Sequence, residues 1–308
     1  MSSATGGEVT GLLVVDKPEG LTSHDVVGRA RRALGTRKVG HAGTLDPMAT
    51  GVLVLGVGRA TRLLGLLALK DKAYEATIRL GSSTVTDDRT GDLLAAAEPS
   101  QISDISDTDI VQALGGFVGA IEQRPSSVSA IKVDGKRAYD LVRAGEDVEL
   151  QARTVDVASI DVAAIRPDRS WIDVDVVVSC STGTYVRAIA RDLGDRLGVG
   201  GHLTSLRRTR VGVFELTTAV SLDDLAQRGP ECLQAMSDVV PKCFPTWQVD
   251  AAQAHLVING VRIPYAGPAV DDPVAILAPD GTFVALAVDA DGRARYLAVF
   301  SGGSATAG

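Results

Sequence analysis

The chain has 308 residues, 45% hydrophobic and 22% charged, a globular composition long enough for two domains. Three cysteines in no paired spacing and four scattered histidines argue against a disulfide framework or a metal centre, and the best apolar run, near 52–57, stops at glycines well short of a membrane span. The opening MSSATGGEVT has neither a basic n-region nor an apolar h-region, so we expect a soluble, cytoplasmic protein.

The net charge of −7 is unfavourable for phosphate contacts, but it is unevenly spread. Residues 81–112 hold Asp87, Asp88, Asp92, Glu98, Asp104, Asp107 and Asp109 against Arg89 alone. Basic residues cluster elsewhere: Arg29, Arg31, Arg32, Arg37 and Lys38; Lys132, Lys136, Arg137 and Arg143; Arg187, Arg191, Arg207, Arg208 and Arg210. Converging on one face, these would track a phosphate backbone; scattered, they are solvated helix faces. Charge alone does not choose.

In chain order, 12–15 is a short apolar strand ending in the turn Asp16-Lys17-Pro18-Glu19-Gly20. Ser23 caps a helix to about Leu34, with Val26, Val27, Ala30 and Leu34 on one face. A glycine-rich segment, 40–51, precedes a buried strand at 52–57 and a helix over 60–69. Residues 74–80 alternate as a half-buried strand does. The acidic stretch reads as a long loop with a helix at 107–114, and 123–150 as a polar, basic excursion. Strands at 155–165 and 171–178 precede a helix at 184–197 capped by Thr184. Beyond Pro241 and Pro245, short apolar segments separated by Asn259-Gly260, Pro279-Asp280-Gly281 and Ala290-Asp291-Gly292 read as hairpins of a small β-rich domain.

Three places could carry chemistry. In Gly40-His41-Ala42-Gly43-Thr44-Leu45-Asp46-Pro47, the proline holds Asp46 extended, and the glycines permit close approach. A carboxylate on such a loop suits a nucleophile or base, though a structural Asp/Gly turn has the same spacing. Tyr74 opens a strand, as either a core ring or a site ring. Arg187 stands in the first turn of a helix, against the dipole, and so wants an anionic partner from elsewhere, although a surface Arg fits the spacing too. Gly56-Val57-Gly58-Arg59-Ala60-Thr61 imitates a dinucleotide fingerprint, but its last position is Thr and no acid ends a second strand.

Taken together these segments resemble the bacterial tRNA pseudouridine-55 synthase family of the TruB type. The matching pieces run in order: Asp16-Lys17-Pro18-Glu19-Gly20-Leu21-Thr22-Ser23; Lys38 through Gly51 around Asp46; Lys72-Ala73-Tyr74 with Arg79-Leu80-Gly81; Gln123-Arg124-Pro125 to Lys132; Gly183-Thr184-Tyr185-Val186-Arg187; Gly201-His202-Leu203 into Leu206-Arg207-Arg208. The likeness covers about 10–220.

The resemblance implies an α+β catalytic domain on a mixed, largely antiparallel central sheet (10–240, with an RNA-clasping insertion at 123–152) and a small β-rich PUA-like domain at 246–302. The ends, 1–9 and 303–308, are expected to be disordered, the last residues being small and polar. The resemblance also implies uridine isomerisation in the T stem-loop of tRNA, without cofactor or metal. Asp46 falls on the catalytic aspartate, Arg187 on its partner, Tyr74 on the ring against the base. His41 falls on a residue that helps extract the nucleotide, Leu206 on an apolar wall, and Asp88 on a supporting acid. Tyr185, Lys17, Arg62 and Lys132 complete the substrate- or RNA-contacting set. Two departures stand out: Pro125-Ser126-Ser127-Val128-Ser129 replaces two prolines and a Tyr, and Val85 stands where an Asp is common.

A guide-RNA-dependent pseudouridine synthase shares these motifs but would bring a larger PUA domain and long extensions. A non-catalytic tRNA-binding or folding module has no need of Asp46, Tyr74 and Arg187 together. The expectation is a stand-alone, monomeric enzyme that needs no guide RNA.

Overall fold

The chain opens with β1 (Gly11–Lys17), α1 (Ser23–Ala33), β2 (Val39–Ala42) and β3 (Thr50–Val57). β1 and β3 are apolar on both faces because both faces are covered. Leu13, Val15, Leu53 and Leu55 pack with Val26, Val27 and Ala30 of α1. Leu12, Val14, Val52 and Val54 point the other way, into a second cluster with Leu63, Val240, Leu286 and the rings of Phe283 and Phe300.

A 3-10 turn (Gly58–Leu63) and α2 (Leu64–Ala68) follow, in place of the single helix expected over 60–69. Gly58 has φ +59 and its carbonyl accepts from the Thr61 hydroxyl at 2.8 Å, which tightens the first turn. The main domain continues through β4 (Lys72–Leu80), β5 (Ser82–Thr84), β6 (Leu93–Ala96), α3 (Pro99–Ser103), α4 (Asp107–Gly115) and β7 (Gly119–Gln123). Short β8 (Lys132–Val133) and β9 (Lys136–Arg137) precede β10 (Arg153–Pro167), β11 (Ile172–Cys180), α5 (Val186–Leu197), β12 (Gly201–Val211), β13 (Phe214–Glu215), α6 (Leu222–Arg228) and α7 (Met236–Cys243).

This computed structural model describes residues 9–126 and 151–300, and the backbone alone at 132–133 and 136–137. The disorder expected at 1–9 and 303–308 falls, Val9 apart, outside the described residues, as do most of the clasp expected at 123–152 and the side chain of Lys132.

Nine described strands form the central sheet, in the order β1-β3-β12-β4-β11-β10-β7, with β2 beside β3 and β13 beside β12. Every pairing is antiparallel except β3 with β12, so the sheet is mixed and largely antiparallel as expected. β4 and β11 alternate buried and half-exposed residues, because helices cover only one of their faces.

Three local expectations change. Thr22, not Ser23, caps α1, through a reciprocal box with Asp25. Ser23 turns inward instead. The acidic stretch is not a long loop: β5 and β6 pair as a hairpin and α3 intervenes before α4. Asn259-Gly260 ends a helix rather than turning a hairpin.

The C-terminal unit contains β14 (Thr246–Gln248), α8 (Ala251–Ile258), β15 (Val274–Leu277), β16 (Phe283–Ala290) and β17 (Arg293–Val299), its sheet ordered β14-β15-β16-β17. The β16–β17 turn carries Asp291 and Gly292 at φ +56 and +75, the left-handed pair that two-residue hairpins require. Trp247, Val257, Ile263 and Val284 form a core of its own.

One contact sets the middle of the main sheet. Gly51, at φ +100, pairs with Arg208, and a Cβ there would lie 2.2 Å from the Arg208 carbonyl oxygen. Gly51→Ala is expected to destabilise the protein by about 2 kcal/mol or more in urea unfolding; wild-type stability in that variant would contradict this account of the junction.

Candidate active site

The loop between β2 and β3 carries Asp46, and its backbone is held from several sides. The Ser23 hydroxyl accepts from Leu45 N at 2.8 Å and donates to Leu45 O at 3.1 Å. Lys17, fully buried, donates its ammonium to the carbonyls of Leu21 (2.7 Å), Pro18 (3.0 Å) and Pro47 (3.3 Å). Gly20 N donates to Pro47 O at 2.8 Å. Arg208, also buried, donates to Val52 O (2.8 Å), Gly43 O (3.1 Å) and Thr44 O (3.4 Å). The carboxylate at 46 therefore projects from a fixed backbone.

Arg187 is the second residue of α5, and its anionic partners come from elsewhere in the fold. Its Nε lies 3.0 Å from Asp46 Oδ2, and its Nη1 lies 3.8 Å from Asp88 Oδ2 and donates to Thr86 O at 2.8 Å. Asp88 is itself buried and accepts from Thr90 Oγ1 (2.6 Å), Thr86 Oγ1 (2.7 Å) and Thr90 N (2.9 Å). The three charges form a chain from the half-exposed Asp46 through buried Arg187 to buried Asp88.

The expected Thr184 cap is not made, since its hydroxyl donates to Ser181 O at 3.1 Å and α5 begins two residues later. Gln123 instead holds the residue that precedes the helix: its Oε1 accepts from Tyr185 N at 2.7 Å while its Nε2 donates to Tyr185 O at 3.0 Å. Gln123 is buried and unflagged by composition; only its place in a motif pointed to it.

Asp46, Tyr74, Tyr185, Arg187 and Leu206 line one cavity of about 80 Å³, with Thr44 and Val186 among the other walls. That is several times the space a water molecule needs. Asp46 is the one carboxylate among the described lining residues. Tyr74 and Leu206 come from neighbouring strands, β4 and β12. Burial pushes the Tyr74 phenol up, against the opposing influence of the Arg208 guanidinium charge. The Arg153 guanidinium sits over the Tyr185 ring, 5.0 Å from its centroid.

Other expected residues lie apart. His41, on β2, is half-buried and outside the lining; burial first, then the Arg208 charge, push its imidazole below the ordinary value, favouring the neutral ring. Arg62 donates to Val299 O at 2.9 Å, bridging to the C-terminal unit rather than reaching the cavity. Among the described residues no group of His, Cys, Asp or Glu could hold a metal ion, and no helix is long and apolar enough to cross a membrane.

The third basic cluster is spent internally. Arg187 and Arg208 are buried, Arg207 pairs with Asp16 (2.7 Å), Arg191 with Asp87 (3.3 Å) and Arg210 with Asp71 (3.7 Å). The exposed cations of the first cluster, Arg29, Arg32 and Arg37, remain on the surface.

Burial pushes the Lys17 ammonium down from 10.5 to about 8, with Asp46 as the largest opposing influence. Below pH 8 the lysine is protonated folded and unfolded, and the cost of burying the charge is fully present. Between about 8 and 10.5 the folded state sheds the proton first, and that cost is relieved. Wild-type stability relative to Lys17→Met should thus rise across this window, by up to a few kcal/mol in urea unfolding; a flat difference from about pH 7 to about 10 would contradict the burial cost.

The chain matches the TruB family pseudouridylate synthase N-terminal domain over residues 31–186, the tRNA pseudouridylate synthase B C-terminal domain over 187–234 and the tRNA pseudouridine synthase II C-terminal domain over 244–301. It is 51% identical over 296 residues to tRNA pseudouridine synthase B of Thermobifida fusca, covering 95% of this chain and 99% of that one. It is 53% identical over 290 residues to tRNA pseudouridine synthase B of Rhodococcus jostii, covering 94% and 93%. Its fold is similar to a chain of a Cbf5-Nop10-Gar1 complex, with TM-score 0.69 and 30% identity over 90% of this chain and 77% of that one. A cavity walled by Asp46, Tyr74, Leu206 and Arg187, and likeness along nearly the full length of these relatives, lead to one assignment: the chain belongs to the TruB family of pseudouridylate synthases.

Proposed function

We propose that this protein converts a uridine of the tRNA T loop, position 55, to pseudouridine, with Asp46 as the catalytic carboxylate. The observation that carries the reading is the Asp46–Arg187 ion pair at 3.0 Å, on a cavity walled by Tyr74 and Leu206. The relatives named tRNA pseudouridine synthase B support tRNA as the substrate.

The reaction is an isomerisation. The bond from uracil N1 to the sugar C1′ breaks, the base turns, and a bond from C5 to C1′ forms; the C5 hydrogen leaves to solvent and N1 gains a proton. A base inside a folded loop must first be drawn out, at a cost of a few kcal/mol, as for duplex flipping. Contact with the Tyr74 ring and the Leu206 side chain offsets roughly 1–3 kcal/mol of that. Arg187 compensates the Asp46 charge, and Asp88, tied by Thr86 and Thr90, holds Arg187 in place. Asp46 then acts as nucleophile or base on the extracted nucleotide, with no redox or metal step required by the bond changes. The exposed Arg29, Arg32 and Arg37 supply cations for the tRNA backbone.

A stand-alone enzyme is favoured over a guided one because identity is 51% to the tRNA pseudouridine synthase B of Thermobifida fusca against 30% to the chain of the Cbf5 complex. We further infer that it works in the cytoplasm as a monomer.

Incubated with a tRNA transcript tritiated at uracil C5, the protein should release tritium stoichiometrically without guide RNA and in the presence of EDTA. Asp46→Asn should abolish release while tRNA binding persists, and full activity in that variant would sink the assignment. Asp88→Asn should slow release by about 10–100-fold through Arg187 misplacement. Binding should weaken steeply with added salt, and a flat dependence would count against phosphate contacts.

A further inference from the structure

Arg208 is 1% exposed, yet its hydrogen-bond partners among the described residues are all neutral: the carbonyls of Val52, Gly43 and Thr44. A buried cation without a paired anion is costly, and a buried structural position in a sheet is more cheaply filled by an apolar residue. The way the guanidinium is used suggests what offsets that cost. Gly43 and Thr44 begin the loop that carries Asp46, Val52 lies on the strand that ends it, and Tyr74 stands opposite Arg208 on β4. One planar fork thus reaches both sides of the loop, with Tyr74 paired opposite on the neighbouring strand.

We propose that Arg208 is a positioning residue for the reaction, fixing the Asp46 loop beside Tyr74 of the neighbouring strand. It rests on the reading of Asp46 as the catalytic carboxylate. Arg208 does not itself line the cavity: its neighbour two residues back, Leu206, forms the wall, and Arg208 acts through the groups it binds. A single ammonium could not reach Val52 O and the two loop carbonyls in the same geometry. Nor would it keep its charge: the buried lysines nearby, Lys17 and Lys72, are both pushed down to about 8, largely by burial and in part by Arg208 itself. The titratable groups around Arg208 are Lys17, His41, Lys72 and Tyr74, with Asp46 and Cys180 beyond them. Guanidinium stays protonated throughout their range.

The test measures single-turnover tritium release, tRNA affinity and thermal unfolding for wild type, Arg208→Gln and Arg208→Lys, from about pH 6.5 to 9. Arg208→Gln is expected to release about 100-fold more slowly while tRNA affinity stays within about 3-fold. Arg208→Lys should recover part of the rate near neutrality and lose it again, relative to wild type at the same pH, as pH rises through about 8. Should Arg208→Gln fail to fold, that ratio of Arg208→Lys to wild type decides. Folded variants with wild-type rates, a ratio that does not change with pH, or a loss entirely in tRNA affinity would each overturn the proposal. Absence of release from the wild type would instead overturn the functional reading on which it rests.

Discussion

The ion pair between Asp46 and Arg187 joins two parts of the chain that have no local reason to meet. One is a loop leading into β3; the other is the first turn of α5, where the dipole disfavours a cation. Their meeting requires that β12 and β4 lie between β3 and β11 in the sheet, and the single parallel pairing of β3 with β12 arranges this. The junction is tight enough that Gly51 has no room for a side chain. Sheet topology and site chemistry are thus one constraint seen at two scales.

Charge inside the protein is handled by three different means. Arg187 has carboxylates on two sides, which compensate it. Lys17 has three backbone carbonyls, which hydrogen-bond it but do not neutralise it, so its proton affinity falls. Arg208 is also held by carbonyls, but as a guanidinium it keeps its charge. The lysine and arginine both grip the backbone around Asp46, so the loop is fixed without regular secondary structure.

The acidic stretch that dominates the net charge divides in two. Asp87, at φ +57, and Asp88 turn inward, toward Arg191 and Arg187, while Glu98, Asp104, Asp107 and Asp109 stay on the outside. Asp88 reaches Arg187 of the cavity, Asp87 pairs with Arg191 on the same helix, and the rest faces solvent. A count of acids could not make that distinction, because what separates the two sets is a backbone turn stabilised by Thr84, Thr86 and Thr90 hydroxyls.

Some of this protein was legible in residue order alone. Apolar runs marked β1 and β3, alternation marked β4, and an Arg against a helix dipole pointed to an anionic partner, though a surface Arg fitted too. Those signals survive because burial and dipole act on local residue order. The Gln123 clasp on Tyr185 and the inward turn of Ser23 were not legible, because their partners lie far along the chain. The Thr22 cap is a local box with Asp25, and what decides it over Ser23 is that distant pull on Ser23. The same holds for Asp46. Its loop, with a proline after it and glycines around it, could be read from sequence, but equally as a structural turn. Only the tertiary structure places it against Arg187, beside Tyr74 and Leu206, since a carboxylate acquires a counter-ion and a cavity from neighbours in space rather than in sequence.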